Sequence, residues 1–390
     1  MITVKSKKRM RKVPRLRFPG FKGEWEEKRL GEVAEFFDEK RIPLKQADRK
    51  KRTGKYPYYG ASGVIDHIND YIFDGEYVLL GEDGANIVDR SSKLAFLVNG
   101  KFWVNNHAHV LQSYGSNYFL SEYLESLNFE KFNTGTAQPK LNASVCKAIK
   151  LLIPTLPEQQ KIADFLTSID KWINNLKAQK EKLEAYKKGM MQKIFSQKIR
   201  FKDDYGDDFP EWEEKRLGEI AEFWNGKAHE QDISENGKYI VVNSKFISTN
   251  GRVKKHSNKQ ISPLKKDDIA IVMSDIPKGR AIGKCYLVDS DGRYTLNQRI
   301  GGIKSESVLS NFLFRILSRN KYFLKFDNGV SQTNLRNSEI LKCPVTFPCL
   351  SEQQKIADFL TSIDNLIEAE QNKIAKAEKW KRGVMQGVFV

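Results

Sequence analysis

Cysteine and histidine are scarce in this sequence. Its 390 residues include four cysteines, none of them in a CxxC pair, and five histidines that form no cluster with the cysteines. A structural zinc site needs paired ligands of these types, and small secreted folds held by disulfides are much richer in cysteine. We therefore expect no structural metal and a reducing, cytoplasmic location.

Long apolar runs are also missing. None approaches the roughly 20 residues that a membrane-spanning helix requires. The first 17 residues are basic but lack the apolar centre of a signal peptide. We expect a protein that is neither embedded in a membrane nor exported. Residues 1–17 are predicted to form a basic arm, which either contacts phosphates or only adds solubility.

The motifs of several enzyme classes do not occur. The sequence has no GxxxxGK[ST] phosphate loop, no GxSxG nucleophile elbow and no Pro-Pro dipeptide of the kind that base methyltransferases carry. The segment "LLGEDGAN" at 79–86 lacks a third glycine at dinucleotide spacing, and its acidic residues are more typical of turns than of a nuclease site. We expect no catalytic site in this chain.

Acidic residues are fewer than basic residues. The chain has 66 Lys and Arg against 49 Asp and Glu, which gives a formal net charge of +17. A charge of this size favours an anionic partner, first of all nucleic acid, although a merely basic protein remains an alternative. The length predicts two or three domains.

The sequence does contain a duplication. The segment "EQQKIADFLTSID" occurs without a difference at Glu158–Asp170 and Glu352–Asp364, and we call it the tail box. The segment "EWEEKRLGE[VI]AEF", the head box, occurs at Glu24–Phe36 and Glu211–Phe223. Between the boxes the halves share little except Gly, Gln and Leu in "GTAQPKL" and "GVSQTNL". Each half thus combines a constant framework with a variable stretch.

Each tail box begins a long predicted helix. Apolar residues continue at alternating spacings of three and four from Ile162 to Ile194 and from Ile356 to Val388, with polar interruptions at Lys180, Lys187 and Glu370. A seam sustained over about four heptads favours a coiled coil between the two helices. The alternative is that each helix packs only on its own domain.

The variable stretches have the pattern of mixed α/β domains. Short β-rich runs alternate with turn residues, as in "YVLLG" at 77–81 and "DIAIVM" at 268–273, and each stretch ends in a helical segment. The segment "WVNNHAHVL" at 103–111 is predicted to be one strand. Its Asn and His side chains suit hydrogen bonds to base edges, a metal ion with no evident third ligand, or a buried structural role.

This layout resembles the specificity subunit of type I restriction-modification systems. The resemblance extends from "RFPGF" at 17–21 to the final helix, and its most specific elements are the two tail boxes, each preceded by a Gly-x-x-Gln-x-x-Leu segment. It implies an α+β chain with two mixed α/β target recognition domains, separated by two long helices that form an antiparallel coiled coil in a pseudo-two-fold internal duplication. The implied boundaries are 1–17 for the arm, 18–155 for recognition domain 1, 156–200 for spacer helix 1, 201–349 for recognition domain 2 and 350–390 for spacer helix 2.

The resemblance also implies a function without catalysis. Each domain would read one half of an asymmetric bipartite DNA site, and the helices would set the spacing and dock two methyltransferase subunits. Restriction-translocation subunits would complete the complex, and S-adenosylmethionine, ATP and Mg would act in those partners. The alternatives are the recognition half of an enzyme fusion and a stand-alone DNA-binding regulator with a coiled-coil scaffold.

Residue chemistry then selects candidates for DNA contact, since Arg and Lys pair with guanine, Asn and Gln pair with adenine, and hydroxyls hold phosphates. In domain 1 they are Tyr58, Tyr59, Ser62, Asn105, Asn106, His107, His109, Thr134, Thr136, Gln138 and Lys140. In domain 2 they are Asn243, Ser244, Lys245, Ser274, Lys278, Arg280, Asn297, Gln298, Arg299, Ser331, Gln332, Asn334 and Arg336. Gln138 and Gln332 occupy matching positions, which favours a shared phosphate or scaffold contact over a distinguishing base.

The candidates for the helical spacer and for subunit docking come from the tail boxes. They are Gln159, Gln160, Ile162, Phe165, Leu166 and Ile169 in the first copy, and Gln353, Gln354, Ile356, Phe359, Leu360 and Ile363 in the second. Their identity in both halves suggests a duplicated partner as well as packing.

Overall fold

The structure is a computed structural model that describes residues 12–135, 138–276, 281–327 and 332–390. The chain divides into two compact units. Unit 1 combines residues up to Gln179 with Glu370–Val390, and unit 2 comprises Lys180–Ala369. Each unit therefore contains one variable domain, the beginning of one long helix and the end of the other.

The secondary structure of the first half alternates short strands and helices before one long helix. Its elements are β1 Glu26–Arg29, α1 Leu30–Val33, β2 Ala34–Phe36, α2 Gln46–Lys51, β3 Thr53–Gly60, β4 Gly63–Ile68, β5 Phe73–Gly81, α3 Asn86–Asp89, β6 Ala95–Val104, β7 Ala108–Ser113, α4 Asn117–Ser126, α5 Ala143–Lys147, β8 Lys150–Ile153 and α6 Leu156–Phe195.

The second half follows the same plan with more, shorter strands. Its elements are β9 Glu213–Arg216, β10 Ala221–Asn225, β11 Tyr239–Val242, α7 Ser244–Ser248, β12 His256–Ser257, β13 Pro263–Leu264, β14 Ile269–Val272, β15 Ser274–Asp275, β16 Cys285–Leu287, β17 Tyr294–Leu296, β18 Ile300–Ser305, α8 Ser310–Leu317, α9 Lys321–Leu324, β19 Thr333–Asn334, α10 Asn337–Leu341, β20 Pro344–Phe347 and α11 Leu350–Val388.

The two variable domains differ in their sheets. Domain 1 has one six-stranded sheet in the order β2-β7-β5-β6-β3-β4. Domain 2 has two four-stranded sheets, β10-β18-β14-β16 and β12-β11-β17-β13. The predicted strand run at 77–81 lies within β5, and the run at 268–273 contains β14. The stretch 103–111 is not one strand, because β6 ends at Val104 and β7 begins at Ala108, with Asn105–His107 as the connection.

The head box forms a small two-stranded sheet with the strand that leads into the long helix. β1 pairs antiparallel with β8, and β9 pairs antiparallel with β20 in the same way. In each copy the backbone N–H of the last strand residue donates to the side chain of a head-box glutamate. Arg29 N donates to Glu32, and Arg216 N donates to Glu219. The residues of the head box thus close the first turn that follows the strand.

The long helices pair antiparallel within each unit. In unit 1, Ile173 and Leu176 of α6 share one core with Ile374 and Ala377 of α11. Salt bridges join Asp170 to Lys381 and Lys177 to Glu378, so the partner's number falls as the α6 number rises. In unit 2, the end of α6 shares a core with the beginning of α11. The predicted pairing of long helices is confirmed, and their apolar seam also belongs to the core of each domain.

The described residues contain no helix that combines the length and the apolar character needed to cross a membrane. They also contain no cluster of three or more His, Cys, Asp or Glu side chains arranged to hold a metal ion.

Candidate nucleic-acid interface and docking framework

The first residue of the tail box anchors the head box in unit 1. Glu158, at the start of α6, is almost completely buried. Its carboxylate accepts two hydrogen bonds from Arg17, from Nε and Nη2 at 2.8 Å each, and one from Trp25 Nε1 at 3.3 Å. A buried carboxylate that kept its charge without such donors would be strongly unfavourable. The hydrogen bond to Glu158 raises the pKa of Arg17 above its ordinary value.

Unit 2 repeats this anchor with the second copies of the same residues. Glu352 is fully buried at the start of α11. It accepts hydrogen bonds from Arg200 Nη2 at 2.8 Å and from Trp212 Nε1 at 3.2 Å. The tryptophan of the head box and the glutamate of the tail box therefore depend on each other. This contact is one physical reason why both boxes are duplicated together.

The next residue of each tail box connects the long helix to a helix of the variable domain, α4 in unit 1 and α8 in unit 2. Gln159 donates to Pro154 O at 3.0 Å and accepts from Ser116 N at 3.4 Å, next to the start of α4. Gln353 donates to Pro348 O and accepts from Leu309 N at 2.8 Å, next to the start of α8. These glutamines satisfy backbone groups that would otherwise be unpaired.

The last residue of each tail box joins both long helices. Asp170 accepts from Tyr118 Oη at 2.5 Å and lies 2.7 Å from Lys381 Nζ. Burial and the hydrogen bond to Asp170 raise the pKa of Tyr118 well above its usual range. Asp364 makes the corresponding contacts with Arg315 at 2.9 Å and with Lys187 at 2.5 Å.

The two lysines belong to a third repeated segment that the sequence reasoning did not identify. "KKGMMQKIF" at 187–195 corresponds to "KRGVMQGVF" at 381–389, again 194 positions apart. The recurrence of Lys, Gly, Met, Gln and Phe at one fixed offset was the signal that would have found it. Its lysines, Lys187 and Lys381, lie near the end of one long helix and contact the tail-box aspartate of the other.

Most residues predicted for the spacer and for docking lie inside the protein, which supports the packing role for the buried members and corrects their docking role. Gln159 and Gln353 are buried, and so are the isoleucines and leucines of both boxes, Ile162, Leu166, Ile169, Ile356, Leu360 and Ile363. Phe165 and Phe359 are partly exposed and pack edge-on against Phe18 and Phe201. Only Gln160 and Gln354 of this set are exposed, and each donates to an aspartate one turn later. Internal packing explains the buried members, because a side chain without solvent access has no surface to offer a partner.

Exposed apolar side chains lie beside the tail boxes instead. In unit 1, Trp172 is 45% exposed and Trp380 is 49% exposed, and their rings meet edge to face at 6.3 Å. In unit 2, the positions offset by 194 carry Leu366 and Tyr186, which are 54% and 51% exposed. We call these the helix patches. Large apolar side chains at matching exposed positions of both long helices are typical of an interaction surface.

The candidate DNA-contact residues of domain 1 converge at the ends of several strands. The connection between β6 and β7 meets the loop after β5, since Glu82 N donates to His107 O at 2.8 Å. The hairpin between β3 and β4 reaches the same place, where Asn105 N donates to Tyr59 O at 3.1 Å. Lys140 forms a salt bridge with Glu82 at 3.4 Å. We call these loops the domain 1 edge.

The members of the domain 1 edge differ in exposure. Ser62, Asn106, His107, Thr134, Gln138 and Lys140 are exposed, Tyr59 is half-buried and Asn105 is buried. The Asn105 side chain accepts from His107 N at 2.8 Å, so it shapes the turn. Its burial leaves Asn106 and His107 as the groups of this turn that face solvent.

Two candidates of domain 1 lie in the interior, which corrects their predicted role. Tyr58 is fully buried, and its hydroxyl accepts from Leu44 N at 2.9 Å. His109 is fully buried between Asp38 Oδ2 at 2.6 Å and Leu141 O at 2.8 Å. Burial opposes its charge, but hydrogen bonds to Asp38 and Cys146 raise the pKa of His109 to about 10. Since these rings have no access to solvent, they are structural.

The candidates of domain 2 converge in the corresponding way. Met273 N donates to Arg299 O at 3.1 Å, and Asn297 N donates to Val242 O at 3.1 Å beside Asn243. β15 pairs with β19, which places Ser274 opposite Asn334. These loops form the domain 2 edge.

Side chains of the domain 2 edge fall into two groups. Lys245, Gln298, Arg299, Gln332, Asn334 and Arg336 are exposed. Ser274 is buried, and Asn243, Ser244 and Asn297 are half-buried. Gln332 donates to Ser274 Oγ at 2.6 Å, a contact within the domain. Asn243 accepts from Phe246 N at 2.9 Å and caps α7. Thr136, Lys278, Arg280, Ser331 and the first 11 residues of the basic arm lie outside the described residues.

Comparison with known proteins identifies the class that this framework defines. The type I restriction modification DNA specificity domain matches the chain twice, over residues 22–185 and 210–379. The chain belongs to this family. The two matches together cover most of the chain and correspond to the two halves that the repeated boxes delimit.

Relatives of the same kind align over nearly their whole length. A putative type I restriction enzyme specificity subunit of Haemophilus influenzae is 29% identical over 363 residues, 89% of each chain. The type I restriction enzyme MjaVIII specificity subunit of Methanocaldococcus jannaschii is 28% identical, over 93% of this chain and 91% of that one. These matches disfavour the alternative of a stand-alone regulator.

Solved structures show the same fold. The S subunit of a type I restriction-modification system from M. genitalium superimposes with a TM-score of 0.60 at 16% identity, over 97% of this chain and 99% of that one. A chain from a solved type I R-M system superimposes with a TM-score of 0.54 at 15% identity, over 94% and 97%. The predicted fold class is confirmed.

Proposed function

We propose that this chain supplies the DNA specificity of a type I restriction-modification complex, with the domain 1 edge reading one half of a bipartite site and the domain 2 edge reading the other. The observation that carries the proposal is the contrast between framework and edges. The Arg–Glu–Trp anchor and the Asp–Lys pair recur in both units, whereas the exposed residues at the edges differ, with the exception of Gln138 and Gln332. Two different readers on one repeated framework specify an asymmetric site.

The chemistry of the edges suits double-stranded DNA. The exposed groups are amides, hydroxyls, a histidine and the cations Lys140, Lys245, Arg299 and Arg336. Amides and guanidinium groups form paired hydrogen bonds with base edges in the major groove, while lysines and hydroxyls hold phosphates. The net charge of +17 adds affinity that does not depend on sequence.

The helix patches are proposed to dock two methyltransferase subunits, one on each copy. The positions equivalent to Trp172 and Trp380 carry Leu366 and Tyr186 in unit 2. The patches therefore offer related but not identical apolar surfaces. Methylation, ATP-driven translocation and cleavage are then reactions of partner subunits, which would bind S-adenosylmethionine, ATP and Mg. The complex would act in the cytoplasm, where the DNA is.

The test is a comparison of methylated sites in the genome of a host with this chain and the same host without it. The expected result is one asymmetric motif, split by a spacer of undefined sequence, that loses its methylation when the chain is absent. The purified chain together with its methyltransferase should modify only that motif. Methylation that is unchanged by removal of the chain, or that follows no defined motif, would overturn the proposal.

A further inference from the structure

His107 in the domain 1 edge and Arg299 in the domain 2 edge occupy equivalent backbone positions but differ in their side chains. In domain 1, Glu82 N donates to His107 O at 2.8 Å, and Leu141 N donates to Glu82 O at 2.7 Å. In domain 2, Met273 N donates to Arg299 O at 3.1 Å, and Leu335 N donates to Met273 O at 2.8 Å. Leu141 and Leu335 are the leucines of the two Gly-x-x-Gln-x-x-Leu segments. The same ladder of hydrogen bonds therefore aligns His107 with Arg299.

The side chain of His107 is held in one orientation. Its Nδ1 lies 2.7 Å from Asp83 Oδ2, and its backbone N–H donates to Asn105 Oδ1 at 2.8 Å. Since a carboxylate accepts but does not donate, Nδ1 carries the proton in this contact. Nε2 is left as the acceptor of the neutral ring, on a side chain that is half exposed. Asp83 is thus a positioning residue for the only exposed histidine of the domain 1 edge within the described residues.

We propose that His107 and Arg299 are the equivalent specificity-determining residues of the two domains. This inference rests on the proposed function. His107 Nε2, oriented by Asp83, accepts a hydrogen bond from an exocyclic amine, N6 of adenine or N4 of cytosine, in the domain 1 half-site. Arg299 donates to O6 and N7 of guanine in the domain 2 half-site. The residue at this one position makes the halves read different bases.

The first experiment measures methylation of DNA duplexes in which each base pair of the wild-type motif is changed in turn. His107→Ala should lower discrimination at one base pair of the domain 1 half-site by about tenfold or more, in line with the value of one well-placed base contact. Asp83→Ala should relax the same base pair, and Asp83→Asn, which still accepts from Nδ1, should restore most of it. Glu27→Ala, which removes a similarly exposed ion pair with Lys150 in the framework, is the control and should change nothing.

The second experiment places in domain 1 the residues that domain 2 carries at the two equivalent positions, Ser274 and Arg299. Ser274 is the residue next to Met273, as Asp83 is the residue next to Glu82. The double variant Asp83→Ser, His107→Arg should therefore prefer guanine at the relaxed position of the domain 1 half-site and leave the domain 2 half-site unchanged. A third readout uses duplexes with purine in place of adenine, or 2-pyrimidinone in place of cytosine, at that position. Wild-type activity should fall, and that of His107→Ala should not fall further.

The outcomes separate the two proposals. If the wild type has a defined motif and His107→Ala relaxes no position, or relaxes all positions equally, the assignment of His107 is wrong and the proposed function stands. If the double variant reads the original base, the equivalence with Arg299 is wrong. If the wild-type complex has no defined motif, the proposed function itself fails.

Discussion

Asp170 of α6 and Lys381 of α11 form an ion pair of 2.7 Å, and each residue has its repeat in the other unit as Asp364 and Lys187, which pair at 2.5 Å. The aspartate comes from the end of a tail box, and the lysine comes from the third repeated segment. In each unit the aspartate of one long helix therefore pairs with the lysine of the other long helix. This pairing makes the framework of one unit a repeat of the other in contacts as well as in sequence.

The ion pairs are not equally buried, which predicts unequal effects on stability. Lys381 is 11% exposed and also lies 2.8 Å from the buried Glu122, whereas Lys187 and Asp364 are 26% and 39% exposed. Lys381→Ala removes the cation that the buried Glu122 and Asp170 share and leaves them only Lys93 and the Tyr118 hydroxyl as partners, so it should lower the free energy of unfolding by about 2 kcal/mol. Lys187→Ala should cost about 1 kcal/mol or less. Urea unfolding of both variants measures the difference, and equal losses would contradict it.

The buried anchor of unit 1 gives a second prediction. Glu158→Gln removes the negative charge that Arg17 contacts in a buried site, and we expect a loss of about 3 kcal/mol. Glu27→Gln, at the exposed ion pair with Lys150, is the matched control and should leave the unfolding transition unchanged, because water and salt screen an exposed pair. Thermal or urea unfolding measures both. The specificity of the assembled complex should be unaffected, and a changed motif would mean that the tail box contributes to reading.

The network around His109 predicts a stability that depends on pH. Its pKa is about 10 in the folded protein and 6.5 ordinarily, so the protonated ring stabilises the fold fully below about pH 6.5, and this contribution is lost as the pH rises toward 10. Burial disfavours the charged form of Asp38, but its hydrogen bond to His109 outweighs burial and lowers the pKa of Asp38. The stability that the Asp38 carboxylate contributes is present above its ordinary pKa of 3.8 and is lost as the pH falls through the lowered pKa. The His109→Gln variant should therefore be less stable than the wild type at pH 7, with a difference that shrinks by about 3–4 kcal/mol by pH 10. Parallel curves for the two proteins would contradict the assignment.

Much of the framework was predictable from repetition alone. Identical boxes at fixed offsets predicted the duplication, and the apolar spacing from Ile162 to Ile194 predicted α6. The burial of Glu158 and Gln159 was not predictable, because a polar residue at the start of a helix is usually exposed. Only the folded chain brings Arg17, and Trp25 of the head box, to Glu158 as donors. Identity between the two copies suggested a partner, whereas internal contacts account for the buried members.

The edges were harder to predict, because loops from distant parts of the chain form them. Alternation in "WVNNHAHVL" suggested one strand, but Asn105 turns the chain by accepting from His107 N, and the alternation is therefore interrupted. The sequence pattern favours an ordinary turn role for Asp83, since nothing local connects it with a histidine 24 positions later. Polar chemistry in loops selected residues that the fold brings together at the two edges, but it could not decide which of their side chains face solvent.

The helix patches give the last prediction, which concerns the number of docked subunits. Replacement of Trp172 and Trp380 by alanine removes two half-exposed rings from unit 1 and leaves Leu366 and Tyr186 of unit 2 intact. Aromatic side chains of this kind dominate interface energetics, so the double variant should bind one methyltransferase subunit in place of two. Native mass spectrometry of the purified complex counts the subunits. The reciprocal variant, Leu366→Ala with Tyr186→Ala, should lose the other subunit, and Lys177→Ala at an exposed ion pair of the same helix is the control with full stoichiometry. Two subunits on both double variants would show that docking uses a different surface.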